Sequence, residues 1–435
     1  MALHVMEEAN HCLGCKVPRC QQGCPIHTNI PEVIRLLKDG KLNEAGWMLF
    51  ENNPLTTVCS LVCNHEKQCE GHCVRGIKGS PVHFSVIEDY ISTTYANQMV
   101  AGPKESNGRS VAIVGAGPAG LTIAIILARY GYSVTIFDSR DKIGGVLRYG
   151  IPRFRLPDTV LDDFAYRHLE LKGIRFRPNT TIGTAITIDD LFRDGYQSVF
   201  LGSGLWRPRK LAIKGESLGN VTYAINYLAS PEAFRLGERI MVIGSGNSAM
   251  DCARTAIRHG ARYVTVINRT GEIAASQYES SYAKLEGVRF LMYKMPLEIR
   301  EDGIVLADVE VAENGSIAAV PGSEKLYPCT GIIIAVSQGA EKNLASNAGL
   351  DMGKGGLLTV DESGHTSREG VFAAGDATSG ARTVVEAVAK GKKVAEAMHA
   401  YMQTLPLPEP SKYADAPVVE EIESAAQAEQ LINGE

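Results

Sequence analysis

Two strand–turn–helix–strand units, set far apart in the chain, constrain its fold more than any other feature. The first runs from the apolar strand Ser110–Val114 through Gly115-Ala-Gly117-Pro118-Ala119-Gly120 into a helix over 120–130, then a strand Ser133–Phe137 that ends at Asp138. The second runs from a strand over 238–243 through Gly244-Ser-Gly246-Asn247-Ser248-Ala249 into a helix over 249–259 and the strand Tyr263–Ile267. Short apolar strands alternating with helices pair in parallel through right-handed crossovers, so each unit predicts a βαβ fold. The glycines permit a tight turn and let backbone N–H groups approach a pyrophosphate at the helix N-terminus, while Asp138 stands where it can accept hydrogen bonds from ribose hydroxyls. A bare glycine pattern is weak, but here strand, helix and acid are in register.

In the second unit Ala249 takes the third glycine's place, and the strand ends at Asn268-Arg269 with no acid. A carboxylate there would repel a 2′-phosphate, whereas an arginine would pair with one. Asn268 and Arg269 therefore lean toward NADPH over NADH, with a merely solvated arginine as the plainer alternative. Two dinucleotide folds in one chain fit a flavin reductase better than a simple dehydrogenase: FAD in the first, the nicotinamide nucleotide in the second. Gly375-Asp376 closes a late strand-like run and supplies a carboxylate for the flavin's ribityl chain. The helix beginning near Thr383 is expected to aim its positive end at the flavin. A buried capping aspartate is the alternative for Asp376.

Eight of the ten cysteines lie between Cys12 and Cys73. The start of the chain shows no basic segment followed by an apolar stretch, and no apolar run approaches the roughly 18 residues of a membrane span. A cytoplasmic protein is expected, so the cysteines point to metal rather than to disulfides. A net charge of -5 with no long basic run excludes the electrostatic footprint of a nucleic-acid binder. The spacing is Cys12-x2-Cys15-x4-Cys20-x3-Cys24-Pro25 and Cys59-x3-Cys63-x5-Cys69-x3-Cys73. Eight thiolates suffice for two four-iron, four-sulfur clusters, and a last cysteine followed by proline fits iron better than the paired C-x2-C knuckles of zinc, which remains the alternative. His65 and His72 are expected at the surface or behind the ligands. The Cys-rich region reads as helical, with one helix opening at Ile30-Pro31 and another over 85–97.

From about residue 10 to residue 401 the chain resembles the glutamate synthase small-subunit family, which includes the N-terminal part of dihydropyrimidine dehydrogenase and its bacterial flavin subunit. The resemblance rests on Cys12 through Pro25, on Asn53-Pro54-Leu55 with Cys59 through Cys73, on Gly144-Gly145-Val-Leu-Arg-Tyr-Gly-Ile-Pro-Arg153-Phe-Arg-Leu-Pro157, on Met250-Asp-Cys-Ala-Arg-Thr255 and on Ala374-Gly375-Asp376-Ala377. It implies that Gly145 and Arg153 lie at the cofactors and that the cluster ligands interleave. One cluster takes Cys12, Cys15, Cys20 and Cys73; the other takes Cys24, Cys63, Cys69 and Glu88, leaving Cys59 as a spectator. A plain exposed glutamate is the alternative for Glu88. Two departures stand out. Thr270 follows Arg269 where NADPH users of the family show a second arginine, and Ile273-Ala-Ala-Ser276 replaces a Met-Pro-Ala-like segment.

The expected architecture is α/β with an N-terminal all-α iron–sulfur domain (1–100) and two Rossmann-like domains. The NAD(P) domain (233–335) is inserted in the FAD domain (108–232 and 336–404), with a linker at 101–110 and a Pro-rich, then acidic tail from 405. The expected function is electron input: hydride passes from NADPH or NADH to FAD, then single electrons pass through the clusters. The acceptor is an iron–sulfur or flavin-containing catalytic partner subunit in a hetero-oligomer, of dihydropyrimidine dehydrogenase or glutamate synthase type. A thioredoxin-reductase-like disulfide reductase is a second reading, weakened because Cys252 stands alone where a C-x-x-C pair is needed. A redox sensor with structural clusters is the third.

Overall fold

The computed structural model describes residues 2–95, 105–169, 173–312 and 316–408. Residues 101–104 of the expected linker, and the tail from 409, lie outside them. The N-terminal unit is helical because its apolar residues recur at helical spacing. Ile30–Lys38 places Pro31 in its first turn, where a missing N–H costs nothing, and buries Ile30, Val33, Ile34, Leu36 and Leu37. That face packs with Leu49 of Leu42–Asn52 and with Ile87 and Ile91 of Phe84–Tyr95. Between Thr56–Val62 and Phe84–Tyr95 the chain makes three short 3-10 turns, His65–Lys67, Glu70–His72 and Val74–Ile77, too brief to leave a periodic signal.

Two five-stranded, all-parallel sheets follow. The first has the order Val371–Ala373, Ser198–Leu201, Ser110–Val114, Ser133–Phe137, Arg175–Arg177. The second has the order Val221–Tyr223, Gly331–Ile334, Arg239–Ile243, Tyr263–Ile267, Arg289–Leu291. In each, the glycine turn leaves the C-terminal end of the central strand, where open α/β sheets bind ligands. The second sheet is inserted into the first, and the crossing points meet where Arg207–Pro208 pairs antiparallel with Gln338–Gly339.

Val221–Tyr223 belongs to the second sheet, so the changeover precedes residue 221 rather than falling at 232. Three residues are too few for a strand pattern to declare itself. An antiparallel sheet of Lys294–Arg300, Gly303–Val311, Ile317–Ala319 and Lys325–Pro328 was also not foreseen. The helix Val384–Thr404 packs along Pro118–Arg129, where a Cβ on Gly391 would meet the Ala119 carbonyl at 3.2 Å. Among the described residues no helix is long and apolar enough to cross a membrane.

Candidate active site and cysteine groups

A cavity of about 510 Å³ opens at the C-terminal ends of the first sheet. Gly115, Gly117, Pro118, Ala119, Asp138, Gly145, Gly375, Asp376 and Thr383 line it. The glycines there have different causes. Gly115 has φ +103, and a Cβ would sit 2.4 Å from the Gly202 carbonyl oxygen, so the turn itself demands glycine. Gly117 is ordinary extended backbone (φ -81, ψ -177), and a Cβ would meet nothing within 4 Å. Neither conformation nor packing within the chain asks for glycine at 117, and its missing side chain leaves the space over the turn open. Gly145 (φ +53) abuts Gly117.

Gly120 and Arg153 are not in the cavity wall. A Cβ on Gly120 would lie 2.0 Å from the Gly115 carbonyl oxygen, which makes it a helix-packing position. The side chain of Arg153 is 75% exposed and pairs with Asp158 at 2.7 Å. Asp138 accepts from the backbone N–H groups of Ala116 (2.6 Å) and Arg140 (2.8 Å), bracing the turn it faces. Burial pushes the Asp376 carboxyl up to about 6, and its Oδ1 accepts from the Arg382 N–H at 3.1 Å. Thr383 caps Val384–Thr404 in a capping box with Glu386. The sequence reading missed the guanidinium of Arg140, 5.0 Å from the ring centres of both Tyr149 and Trp206. Those residues are too far apart in the chain to signal one another.

The second glycine turn repeats the first. Gly244 has φ +120 with a Cβ position 2.3 Å from the Ala335 carbonyl oxygen, while Gly246 (φ -78, ψ 177) faces open space. Ala249 is buried, and Ser248 is exposed beside it. Asn247 Oδ1 accepts from the Ser276 N–H at 2.9 Å, and Ser245 holds the N–H groups of Ala274 and Ala275, so the departing 273–276 segment folds down onto this turn. Asn268 donates its amide to Thr270 Oγ1 (3.0 Å) and the Glu272 carbonyl (2.6 Å), shaping the loop after the strand. Arg269 is exposed and makes no ion pair among the described residues.

The helix Gln277–Leu285 is gripped from two sides. Glu66 of the helical unit accepts from the N–H groups of Gln277 (2.6 Å) and Tyr278 (3.1 Å) at its first turn. Arg155, from the segment after the first turn, binds Glu279 on this helix at 2.7 Å and Asp251 on Asn247–Arg258 at 2.9 Å. Arg254 completes the network on Glu279 and Glu286.

The cysteines fall into two groups. Burial pushes the Cys20 thiol up to about 11, and Cys73, Cys12 and Cys15 add like charge, so these four stand around one place. A hydrogen bond to Cys59 and then burial raise Cys63, which also feels Glu88 and Cys69. Burial raises Cys69, which feels Glu88, Glu70 and Cys24. Glu88 is buried rather than exposed, and its Oε1 accepts from Thr56 Oγ1 at 2.7 Å. Cys24 and Cys63 pack against the core of the first sheet's unit, whereas Cys12, Cys20 and Cys73 pack on the helical unit's own core. Among the described residues no three His, Cys, Asp or Glu side chains are arranged to hold a single metal ion. A four-iron cluster, with one ligand per corner, sets its ligands farther apart than tetrahedral zinc does. His65 Nε2 is buried without a partner beside Cys63, while His72 is exposed with Nδ1 2.6 Å from the Gln68 carbonyl oxygen.

The pyridine nucleotide-disulphide oxidoreductase model matches residues 109–391 and 76–191, and the model for dihydropyrimidine dehydrogenase domain II, 4Fe-4S cluster, matches residues 2–100. Together they imply a flavin, a pyridine nucleotide and an iron–sulfur cluster. The glutamate synthase (NADPH) small chain of Azospirillum brasilense is 33% identical over 432 residues, covering 91% of this chain and 88% of that one. That of Escherichia coli (strain K12) is 32% identical over 436 residues, covering 91% of each. The NADP(+)-dependent formate dehydrogenase subunit beta of Moorella thermoacetica is 33% identical, covering 88% of this chain and 60% of that one. Among solved structures, Mycobacterium tuberculosis FprA in complex with NADPH superposes with a TM-score of 0.58 at 18% identity over 75% of this chain and 89% of that one. T. acidophilum thioredoxin reductase gives a TM-score of 0.55 at 24% identity over 68% of this chain and 100% of that one; both likenesses speak for the fold alone. The chain is an oxidoreductase and belongs to the glutamate synthase small-chain family.

Proposed function

We propose that this chain is the electron-input subunit of a larger enzyme, oxidising NADPH and delivering electrons to a partner catalytic subunit. When bound, the flavin would accept a hydride from the nucleotide, and two four-iron clusters would pass its two electrons on singly, with the proton released to solvent. The empty space at Gly117 and Gly246 fits a dinucleotide at each turn. Asp138 and Asp376 would hold the flavin's sugar and ribityl hydroxyls, and the N-terminus of Val384–Thr404 would favour negative charge on the flavin ring. Arg269, free of any carboxylate among the described residues, would receive a 2′-phosphate. Cys12, Cys15, Cys20 and Cys73 would ligate an outer cluster. Cys24, Cys63, Cys69 and Glu88 would ligate an inner one.

The observation that carries this reading is the order of the sites. Lys392, on the helix that starts at the cavity, lies near Cys24 and donates to Asn52 Oδ1 at 2.6 Å. From Thr383 to Lys392 that helix spans about 13 Å. Cys24 near one end of this helix and the cavity at the other support a series from flavin to inner group to outer group, the last packed on the helical unit's own core. The test is anaerobic stopped-flow with NADPH on the wild type and Cys20→Ser. Flavin reduction is expected in both, with onward delivery to a one-electron protein acceptor lost in the variant. Undiminished delivery would place the exit elsewhere.

A further inference from the structure

The surface over the outer cysteine group is built for contact. Leu13, Val17 and Ile77 are 62%, 69% and 67% exposed, on irregular backbone and a 3-10 turn. Lys16, Arg19 and Arg75 are exposed around them, and none has an ion-pair partner among the described residues. Neither segment 11–20 nor segment 71–80 contains an acid. The two segments meet, since Leu13, Arg19 and Arg75 line one small cleft with Cys12, Cys15 and Cys73. The chain as a whole carries a net charge of -5, so a patch of unopposed cations runs against the overall sign.

We propose that this patch is the docking surface for an electron-accepting protein whose contact face is apolar at the centre and acidic at the rim. The inference rests on the electron-input reading above and adds to it where the partner sits and what charge it carries. Apolar side chains beside the outer thiols would exclude water at the point of closest approach, and the ring of cations would steer an acidic partner and set its orientation. A membrane surface, a second copy of this chain and the chain's own acidic arm at 409–435 are the rival occupants.

The test uses anaerobically isolated holoprotein, with a plant-type two-iron ferredoxin as the acidic probe and cytochrome c as a basic one of similar size. Calorimetric titration at low salt should show binding of ferredoxin and not of cytochrome c, lost at high salt. Lys16→Glu with Arg75→Glu, and separately Ile77→Asp, should each weaken ferredoxin binding about tenfold or more, the usual scale for reversing or removing a contact in such a patch. Variants are compared at wild-type iron content; Val17→Asp with Lys78→Glu, at the exposed lysine next to Ile77, serves if either loses iron. Flavin reduction by NADPH should be unchanged throughout, so its failure would indict the electron-input reading and not the docking surface. Equal binding of both probes, or binding indifferent to the variants, would overturn the proposal. So would variants that alter only phosphatidylserine-vesicle binding or self-association, or markedly tighter ferredoxin binding by a chain ending at Pro408.

Discussion

Glu88 shares a helix with Ile87 and Ile91 yet turns a carboxyl into the protein, 7% exposed, where burial pushes it up to about 7. A buried acid held by one threonine hydroxyl is costly unless something else uses it. If it ligates iron, Glu88→Ala should damage one cluster only, lowering iron from about eight toward about four per chain while flavin reduction by NADPH stays near wild type. Two unaltered clusters by electron paramagnetic resonance would make Glu88 a structural acid. Cys59 and Cys63 allow a sharper contrast, because they sit one turn apart and hydrogen-bond to each other. Cys59→Ser should keep its iron and Cys63→Ser should lose about half; the reverse result would exchange their roles. At the nucleotide, Arg269→Ala should raise the KM for NADPH about tenfold and leave NADH nearly unchanged, as expected for losing one charge-assisted pair. Equal effects on both nucleotides would remove arginine from the 2′-phosphate.

At the scale of elements, the segment containing Phe154 and Arg155 ties the two sheets' units together. The Arg155 side chain is 14% exposed, with Asp251 and Glu279 at 5% and 6%, so removing the cation strands the buried Asp251 carboxylate and leaves Glu279 to Arg254 alone. Arg155→Ala should destabilise the fold by about 3 kcal/mol in denaturant titrations. It should also slow hydride transfer more than it changes the KM for NADPH, since it loosens one unit against the other without touching the nucleotide turn. Arg155→Lys should recover part of the rate. A variant with wild-type kinetics would show that the network stabilises without positioning. The sequence made the parallel strands and glycine turns legible, because burial on both faces and a pyrophosphate turn leave local patterns. It also displayed the run Gly144 to Pro157, but not its purpose, since the partners of Arg155 lie on helices remote in the chain. The misplaced Arg153 is the same lesson: two arginines in one motif look alike until burial separates them. The 3-10 turn Glu70–His72, which Cys69 and Cys73 flank, is too short to show a period in the sequence.

At the scale of the whole molecule three places stand in relation: the cavity at the first glycine turn, Cys24 and Cys63 against the core of the first sheet's unit, and Cys12, Cys20 and Cys73 on the helical unit's core, in which Cys69 is buried. The grouping of ligands was legible only through the family resemblance, because spacing alone does not say which thiols interleave. In the folded chain Cys20 feels Cys73, Cys12 and Cys15, whereas Cys63 feels Cys59, Glu88 and Cys69, so proximity alone does not set Cys59 apart from the ligands. The most direct measurement is the content of iron, acid-labile sulfide, zinc and flavin in protein isolated without oxygen. About eight irons, about eight sulfides and one flavin per chain are expected, with no stoichiometric zinc. Zinc in place of iron, or about four irons in a fully folded, flavin-replete chain, would contradict the two-cluster reading.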